Sequence, residues 1–390
     1  MIISKNIIFK NFKGLNNINQ NKKINKLLKK ELIINHSLLN SLTDKYKYSF
    51  KKKDVKKLQN FKLYNLIGMG GSILGSEAIY DFLNHKIKKK FEFYNNLKSK
   101  NITKSENKKV NLIISKSGNT LETISNFNLI LKNQKKNKNV IITENKNNFL
   151  TLLAKKLKAE IFEHKNYIGG RYSVLSEVGM LPAQLMGLNE RKFKRLNYLM
   201  KSKTFTNLLI QNVNFIYKCI SKGKKNSVIL NYDEKSENLF KWYQQLTAES
   251  LGKKSKGIFP IVSSMPKDNH SLLQLYLEGP KNNFFTFFNV MNDKSQKLES
   301  KNLFNQFSIL KKKNINEIVN LQKRATENVF SRKNIPFRSF KVLNRSEETL
   351  GELFCFFILE TILLGRLLNV NPFDQPSVEL IKVETKKLLY

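Results

Sequence analysis

KLYNLIGMGGSILGSEAIYDFL, running from Lys62 to Leu83, is the stretch from which the fold is read. Its opening, Lys62–Ile67 (KLYNLI), is a short apolar run that predicts a buried strand. The run stops at a glycine turn, Gly68-Met-Gly-Gly71. Beyond it Ile73, Leu74, Ala78, Ile79, Phe82 and Leu83 recur at helical spacing, with Ser72 placed to cap the helix. The same order of strand, small-residue turn and helix returns downstream. Val110–Ile114 (VNLII) predicts a second strand. It leads into Ser115-Lys-Ser-Gly-Asn-Thr120 and a helix bearing Ile124, Phe127 and Leu131. Val140–Thr143 predicts a third strand and Phe149–Leu157 a third helix. Apolar strands alternating with amphipathic helices predict a parallel sheet covered by helices.

The pattern restarts after about residue 205. Ser227–Leu230 and Phe284–Val290 read as strands, and Phe240–Leu246, Ile315–Phe330 and Ser346–Leu368 as helices. Ser346 is placed to cap the last of these, and Glu347 and Glu348 suit its positive first turn. A terminal helix is expected over Val378–Leu389. The expected fold is α/β: two sandwich domains of similar build, with parallel sheets flanked by helices, plus a C-terminal helix. The boundaries drawn are a Lys- and Asn-rich helical lead-in over 1–45, a first domain over 46–200, a second over 201–370 and a C-terminal segment over 371–390.

The 390 residues are 41% hydrophobic, enough to bury a real core. Lys+Arg total 70 against 30 Asp+Glu, a net charge of +40. Taken alone, that points to nucleic acid or a membrane surface. The lysines, however, are spread along the chain and come with Asn, Ile and Phe, as in Lys132–Lys138 and Asn145–Asn148. These four residue types share A/T-rich codons, the mark of compositional drift. No motif interleaves aromatic and basic residues, so neither nucleic acid nor membrane is expected as a partner. The charge still favours acidic small molecules such as phosphates. Cys219 and Cys355 are isolated in apolar surroundings, which predicts buried thiols and no disulfide or zinc site. The N-terminal run MIISKNIIFKNFKG is broken by lysines, and Leu353–Leu368 contains Glu360 and Arg366. A secretory leader and a membrane span are therefore not expected, and the cytoplasm is the default location.

Two junctions are rich in small polar residues. GMGGSILGS (Gly68–Ser76) fails as a dinucleotide fingerprint because Ile73 stands where glycine is needed, and as a P-loop because Ser76 replaces the lysine. Gly71 and its neighbours either let the backbone approach a ligand at a helix start or simply make a tight turn. In SKSGNT, the hydroxyls of Ser115, Ser117 and Thr120 sit where a strand meets a helix. That is the make-up of an anion site, and also of an ordinary capped turn. Glu249 in YQQLTAESLGK, Arg171 in GGRYS, His270 in KDNHSLLQLYLEGP and Lys382 in FDQPSVELIK each have a plain structural explanation when taken singly.

Together the blocks GMGGSILGS, ISKSGNTLET, GGRYSVLSEVG, YQQLTAESLGK, DNHSLLQLYLEGP and NPFDQPSVELIK, in this order between residue 66 and the C-terminus, resemble phosphoglucose isomerase, a family with the two-domain sugar isomerase (SIS) fold. The resemblance implies interconversion of glucose 6-phosphate and fructose 6-phosphate, a step of glycolysis and gluconeogenesis. It implies that Gly71, Ser72, Ser115, Ser117 and Thr120 hold the phosphate, and that Gln245 and Gln375 contact substrate. Glu249 would move a proton between C2 and C1 through a cis-enediol(ate), with Arg171 steadying its charge. His270 would assist ring opening and Lys382 would act at the ring oxygen. The histidine reaches in from a neighbouring subunit in this family, which implies a homodimer with a shared active site. No metal and no cofactor is implied. Ser377 and Ile381 stand where many members have glycine, and Thr247 where a larger aromatic is common. Two other readings stay open: use of mannose 6-phosphate as well, and a sugar-phosphate-binding regulator without catalysis. A pure binder needs the hydroxyl loops but not the set Glu249, Arg171, His270 and Lys382, which favours the enzyme.

Overall fold

The computed structural model describes residues 2–10, 18–34, 36–97, 108–133, 137–291, 295–299, 304–311 and 313–389. Met1 and 11–14 of the N-terminal run, and 134–136 of the lysine tract, lie outside them.

The lead-in departs from expectation at its start. Ile2–Ser4 (β1) and Ile7–Lys10 (β2) are antiparallel strands, not helix. β-branched and aromatic residues favour this, and Ile3, Ile7 and Phe9 are buried. The lead-in becomes helical at Ile18–Ile34, which buries Ile24 and Leu28.

The first sheet holds Leu63–Gly68 (β3), Lys90–Tyr94 (β4), Val110–Ile114 (β5), Lys138–Thr143 (β6) and Glu160–Glu163 (β7). Its order is β4-β3-β5-β6-β7, and every pair is parallel. The central strands are the apolar runs read from sequence. Edge strands β4 (KFEFY) and β7 (EIFE) are hidden in the sequence, because charged residues interrupt their apolar pattern, as suits an edge. The chain starts at β3, steps out to β4, then crosses to β5 on the other side. The strand order therefore reverses between β3 and β5.

The second sheet adds Asn226–Asn231 (β8), Phe259–Ser264 (β9), Asn283–Val290 (β10) and Phe337–Val342 (β11), in the order β1-β2-β11-β10-β8-β9. Strands β8 to β11 pair in parallel, and β2 runs antiparallel to β11, Ile7 lying opposite Val342. The hairpin β1–β2 thus closes the edge of a sheet built mainly from residues far along the chain. Strand β11 (FRSFKV) hid behind Arg338, whose side chain is nevertheless fully buried. It pairs with buried Glu360, and its Nε donates to Thr286 Oγ1 at 2.9 Å. A charge removed from water is tolerated only when paired and hydrogen-bonded in this way.

Glu347–Leu367 is the long apolar helix, and Ser346 caps it as expected, its hydroxyl accepting from the Thr349 amide at 3.2 Å. The helix Glu237–Leu251 of the second half packs on that helix and on Leu74–Phe82 of the first half, which brings the two halves together. Among the described residues no helix is long and apolar enough to cross a membrane. Cys219 and Cys355 are free and buried.

Candidate active site

The glycine loop and the hydroxyl loop leave the C-terminal ends of neighbouring strands, with Gly68 of β3 paired to Ile114 of β5. This is the point where strand order reverses, the usual ligand position in open α/β sheets. Gly68 is needed for closeness: a Cβ there would lie 3.0 Å from Ile114 O and 3.1 Å from Ser72 Cβ. Ser72 is therefore folded over the strand exits. It does not cap the next helix as expected. It ends a 3-10 turn, Gly70–Ser72, and the helix begins at Leu74 with no side-chain cap. Gly71 presses on another segment, where a Cβ would stand 2.2 Å from Gly170 C and 2.5 Å from Arg171 N. Backbone meets backbone here, which ties the glycine loop to GGRYS.

In the hydroxyl loop, Ser115 Oγ and Thr120 Oγ1 are 2.8 Å apart, and the Gly118 amide donates to Ser115 Oγ at 3.2 Å. The Asn119 amide donates to Ser117 Oγ at 3.3 Å. Gly118 takes φ +72°, which suits glycine. The helix Leu121–Asn133 follows at once, so its positive end faces the loop. Lys116 turns the other way: its Nζ donates to Asn166 O at 2.8 Å and lies 3.7 Å from Glu144. Desolvation holds its ammonium below the usual lysine range, against the pull of Glu144.

Arg171 lies in the 3-10 turn Gly170–Leu175 with its side chain 1% exposed. Its NH1 donates to Glu249 Oε2 at 3.3 Å and to Gln375 Oε1. Its NH2 donates to the carbonyl of Asp374 at 3.0 Å. Gln245, one helical turn before Glu249, donates to Glu249 Oε1 at 2.9 Å. Gly70, at φ +53°, leaves room for that amide, since a Cβ would come 2.5 Å from Gln245 Nε2. Glu249 is held by an amide on one oxygen and a guanidinium on the other, while its side chain stays 25% exposed. A carboxylate fixed in this way yet open on one side, beside a fixed cation, is equipped to take a proton next to a carbonyl and stabilise the resulting anion.

The structure therefore gathers Gly71, Arg171, Gln245, Glu249 and Gln375, with Ser72, Ser115, Ser117 and Thr120 at the adjoining strand exits. Two expected residues stay outside. His270 is exposed on the 3-10 turn Lys267–His270, ahead of the helix Leu273–Glu278. Lys382 lies on Val378–Leu389, a helix that buries no residue, and its Nζ donates to Glu379 at 2.6 Å. Thr247 is buried and bonds the Tyr243 carbonyl of its own helix at 2.8 Å. Gly70 belongs to the site as well, and the GMGG run signals its special backbone.

A sequence model of the family Phosphoglucose isomerase matches residues 36–389. The chain is 33% identical over 354 residues to the glucose-6-phosphate isomerase of Methanocaldococcus jannaschii, covering 86% of this chain and 85% of that one. It is 31% identical to the probable glucose-6-phosphate isomerase of Methanococcus maripaludis, covering 93% and 86%. Among solved structures, a hypothetical protein of Thermus thermophilus superposes with TM-score 0.82 at 24% identity, covering 95% and 94%. A glucose-6-phosphate isomerase of Chlamydia trachomatis superposes with TM-score 0.76 at 16% identity, covering 99% and 89%. At these identities the structures speak for the fold alone.

Proposed function

The chain belongs to the phosphoglucose isomerase family and interconverts glucose 6-phosphate and fructose 6-phosphate, and we propose that Glu249 carries the transferred proton. The observation behind this role is the Glu249–Arg171 pair, 3.3 Å apart, beside a hydroxyl loop at the sheet's switch point. The phosphate sits on Ser115, Ser117 and Thr120 at the start of the helix Leu121–Asn133, with Ser72 and the Gly71 backbone completing the cradle. Ser115 and Thr120 then exchange their mutual bond for bonds to phosphate oxygens. Binding at that remote group positions C1 and C2 over Glu249. Glu249 takes the proton from one carbon and returns it to the other through a cis-enediol(ate), while Arg171 faces the developing charge. Gln245 holds the carboxylate's orientation, and Gln375 meets the sugar.

His270 opens the ring from a second copy of the chain. Its exposure and its separation from the Glu249 cluster fit a residue that acts across a homodimer interface. Lys382 acts at the ring oxygen, its exposed helix following directly on the segment that Arg171 holds. Buried free thiols at Cys219 and Cys355 suit a reducing compartment, and the reading places the enzyme in the cytoplasm.

The test is fructose 6-phosphate turnover, followed through a coupled glucose-6-phosphate dehydrogenase with and without EDTA. Wild type is expected to turn over equally in both. Glu249→Gln is expected to lose about 10²- to 10⁴-fold in kcat. A folded Glu249→Gln with wild-type kcat refutes the assignment of the base. Mixing inactive Glu249→Gln with His270→Ala restores activity if the site is shared, because a hybrid dimer keeps one intact site. No recovery on mixing refutes the shared site.

A further inference from the structure

A guanidinium has five N–H donors, and the structure gives each of Arg171's an acceptor. NH1 serves Glu249 and Gln375, NH2 serves the carbonyls of Pro372 (2.7 Å) and Asp374 (3.0 Å), and Nε serves Ser250 Oγ (2.7 Å). Ser250 Oγ is in turn 2.9 Å from Tyr172 Oη, which is 2.9 Å from the same Pro372 carbonyl. The proton order in this ring is determined. A carbonyl only accepts, so Tyr172 donates its one proton to Pro372. Ser250 must then donate to Tyr172, and the Ser250 oxygen accepts from Arg171 Nε. Arg171, Tyr172 and Ser250 are all at most 1% exposed, so water does not compete. Burial also raises the Tyr172 phenol above its usual pKa, which keeps its proton in place.

The partners differ in how they can be replaced. Nε and NH2 face a buried hydroxyl and two backbone carbonyls. NH1 faces the side chains of Glu249, 25% exposed, and Gln375, which is exposed. We propose that Ser250 and Tyr172 are positioning residues: their one-way relay locks the guanidinium so that NH1 alone is offered to the substrate, which replaces Gln375 on it. Ser250 directly follows Glu249 on the same helix, so the element that carries the base also aims the cation. This rests on the reading that Arg171 stabilises the enediolate.

The experiment compares wild type with Ser250→Ala, Ser250→Thr, Tyr172→Phe and Arg171→Lys. It measures kcat and KM for fructose 6-phosphate, the melting temperature, and inhibition by a phosphorylated sugar-acid hydroxamate, whose planar anion mimics the enediolate. Ser250→Ala is expected to lose about 10- to 100-fold in kcat, the weight of a hydrogen bond to a charged group. The hydroxamate should weaken by the same factor while KM stays within about threefold, because only transition-state binding is lost. Ser250→Thr, which keeps the hydroxyl, is expected to recover most of the loss. Wild-type kcat in Ser250→Ala, or equal weakening of substrate and hydroxamate, overturns the proposal, as does failure of Ser250→Thr to recover. If Ser250→Ala does not fold, Tyr172→Phe decides on the same two readings. An inactive Arg171→Lys beside a fully active Ser250→Ala refutes the relay alone. A fully active Arg171→Lys refutes the role of Arg171 itself.

Discussion

Gly71→Ala places one methyl group where the glycine loop meets the arginine segment. The added carbon would stand 2.2 Å from Gly170 C, 2.3 Å from Gly170 O and 2.5 Å from Arg171 N. Ordinary contact begins at 3.4 Å, so the two backbones must part by about 1 Å. No side chain lies between them to swing aside. Overpacking of this kind costs about 1–3 kcal/mol, and a backbone clash belongs at the upper end. The functional cost is larger, because the displaced residue is Arg171, whose NH1 lies 3.3 Å from Glu249. Misplacing a catalytic group by about 1 Å can cost about 10²-fold in rate. The assay is the coupled isomerase measurement, run beside urea denaturation. The control is Gly170→Ala, the neighbouring glycine, whose added carbon meets only Gly71 Cα at 4.0 Å. Gly71→Ala is expected to lose about 100-fold in kcat at temperatures where it stays folded, and Gly170→Ala to keep wild-type stability. A Gly71→Ala enzyme with kcat within about threefold of wild type would refute the claim that this backbone contact sets the position of Arg171.

Two further outcomes follow from groups outside the site. His164 is 1% exposed with Nδ1 3.1 Å from the Lys165 carbonyl, and burial lowers its pKa from 6.5 to about 4. Between those values the unfolded chain binds the proton and the native one does not. Stability is therefore complete above about pH 6.5 and falls by about 3 kcal/mol as pH drops to 4, at about 1.4 kcal/mol per unit. His164→Asn should flatten urea-unfolding stability over that window, and an unchanged slope would contradict the assignment. Deleting residues 1–10 removes Ile3, Ile7 and Phe9 from the core, at about 1.5–3 kcal/mol each, and bares the β11 edge. The truncated chain is expected to melt earlier and to aggregate on heating, measured by calorimetry and light scattering, and wild-type behaviour would show that the hairpin is dispensable.

Much of the scaffold was legible because its central strands are buried on both faces. Val110–Ile114 has no polar interruption except Asn111, and it was read with its observed bounds. Asn111 is itself buried, donating to Asn139 and accepting from Asn65, both at 2.8 Å. Phe149–Leu157 and Val378–Leu389 were also read as they stand. The strands the sequence hides, besides the N-terminal hairpin, are those whose pattern is diluted: β4 and β7 by charges at an edge, β9 (FPIVSS) by Pro260 and two serines at the edge of the second sheet, and β11 by Arg338, whose partner Glu360 lies on another element. The N-terminal hairpin escaped because its apolar face is completed by β11, more than 300 residues later.

By itself the sequence determined the alternation of strands and helices, the two small-residue loops at strand ends and the residue types that suit proton transfer, because these depend on neighbours within a few positions. The tertiary structure decided which of them meet. Arg171, Gln245, Glu249 and Gln375 come together only because the helix Glu237–Leu251 packs across both halves and Pro372–Gln375 returns to the guanidinium. Spacing along a chain carries no trace of such contacts. The same holds for the buried ring of Ser250, Tyr172 and Pro372, whose partners are ordinary residues until the fold removes the water between them.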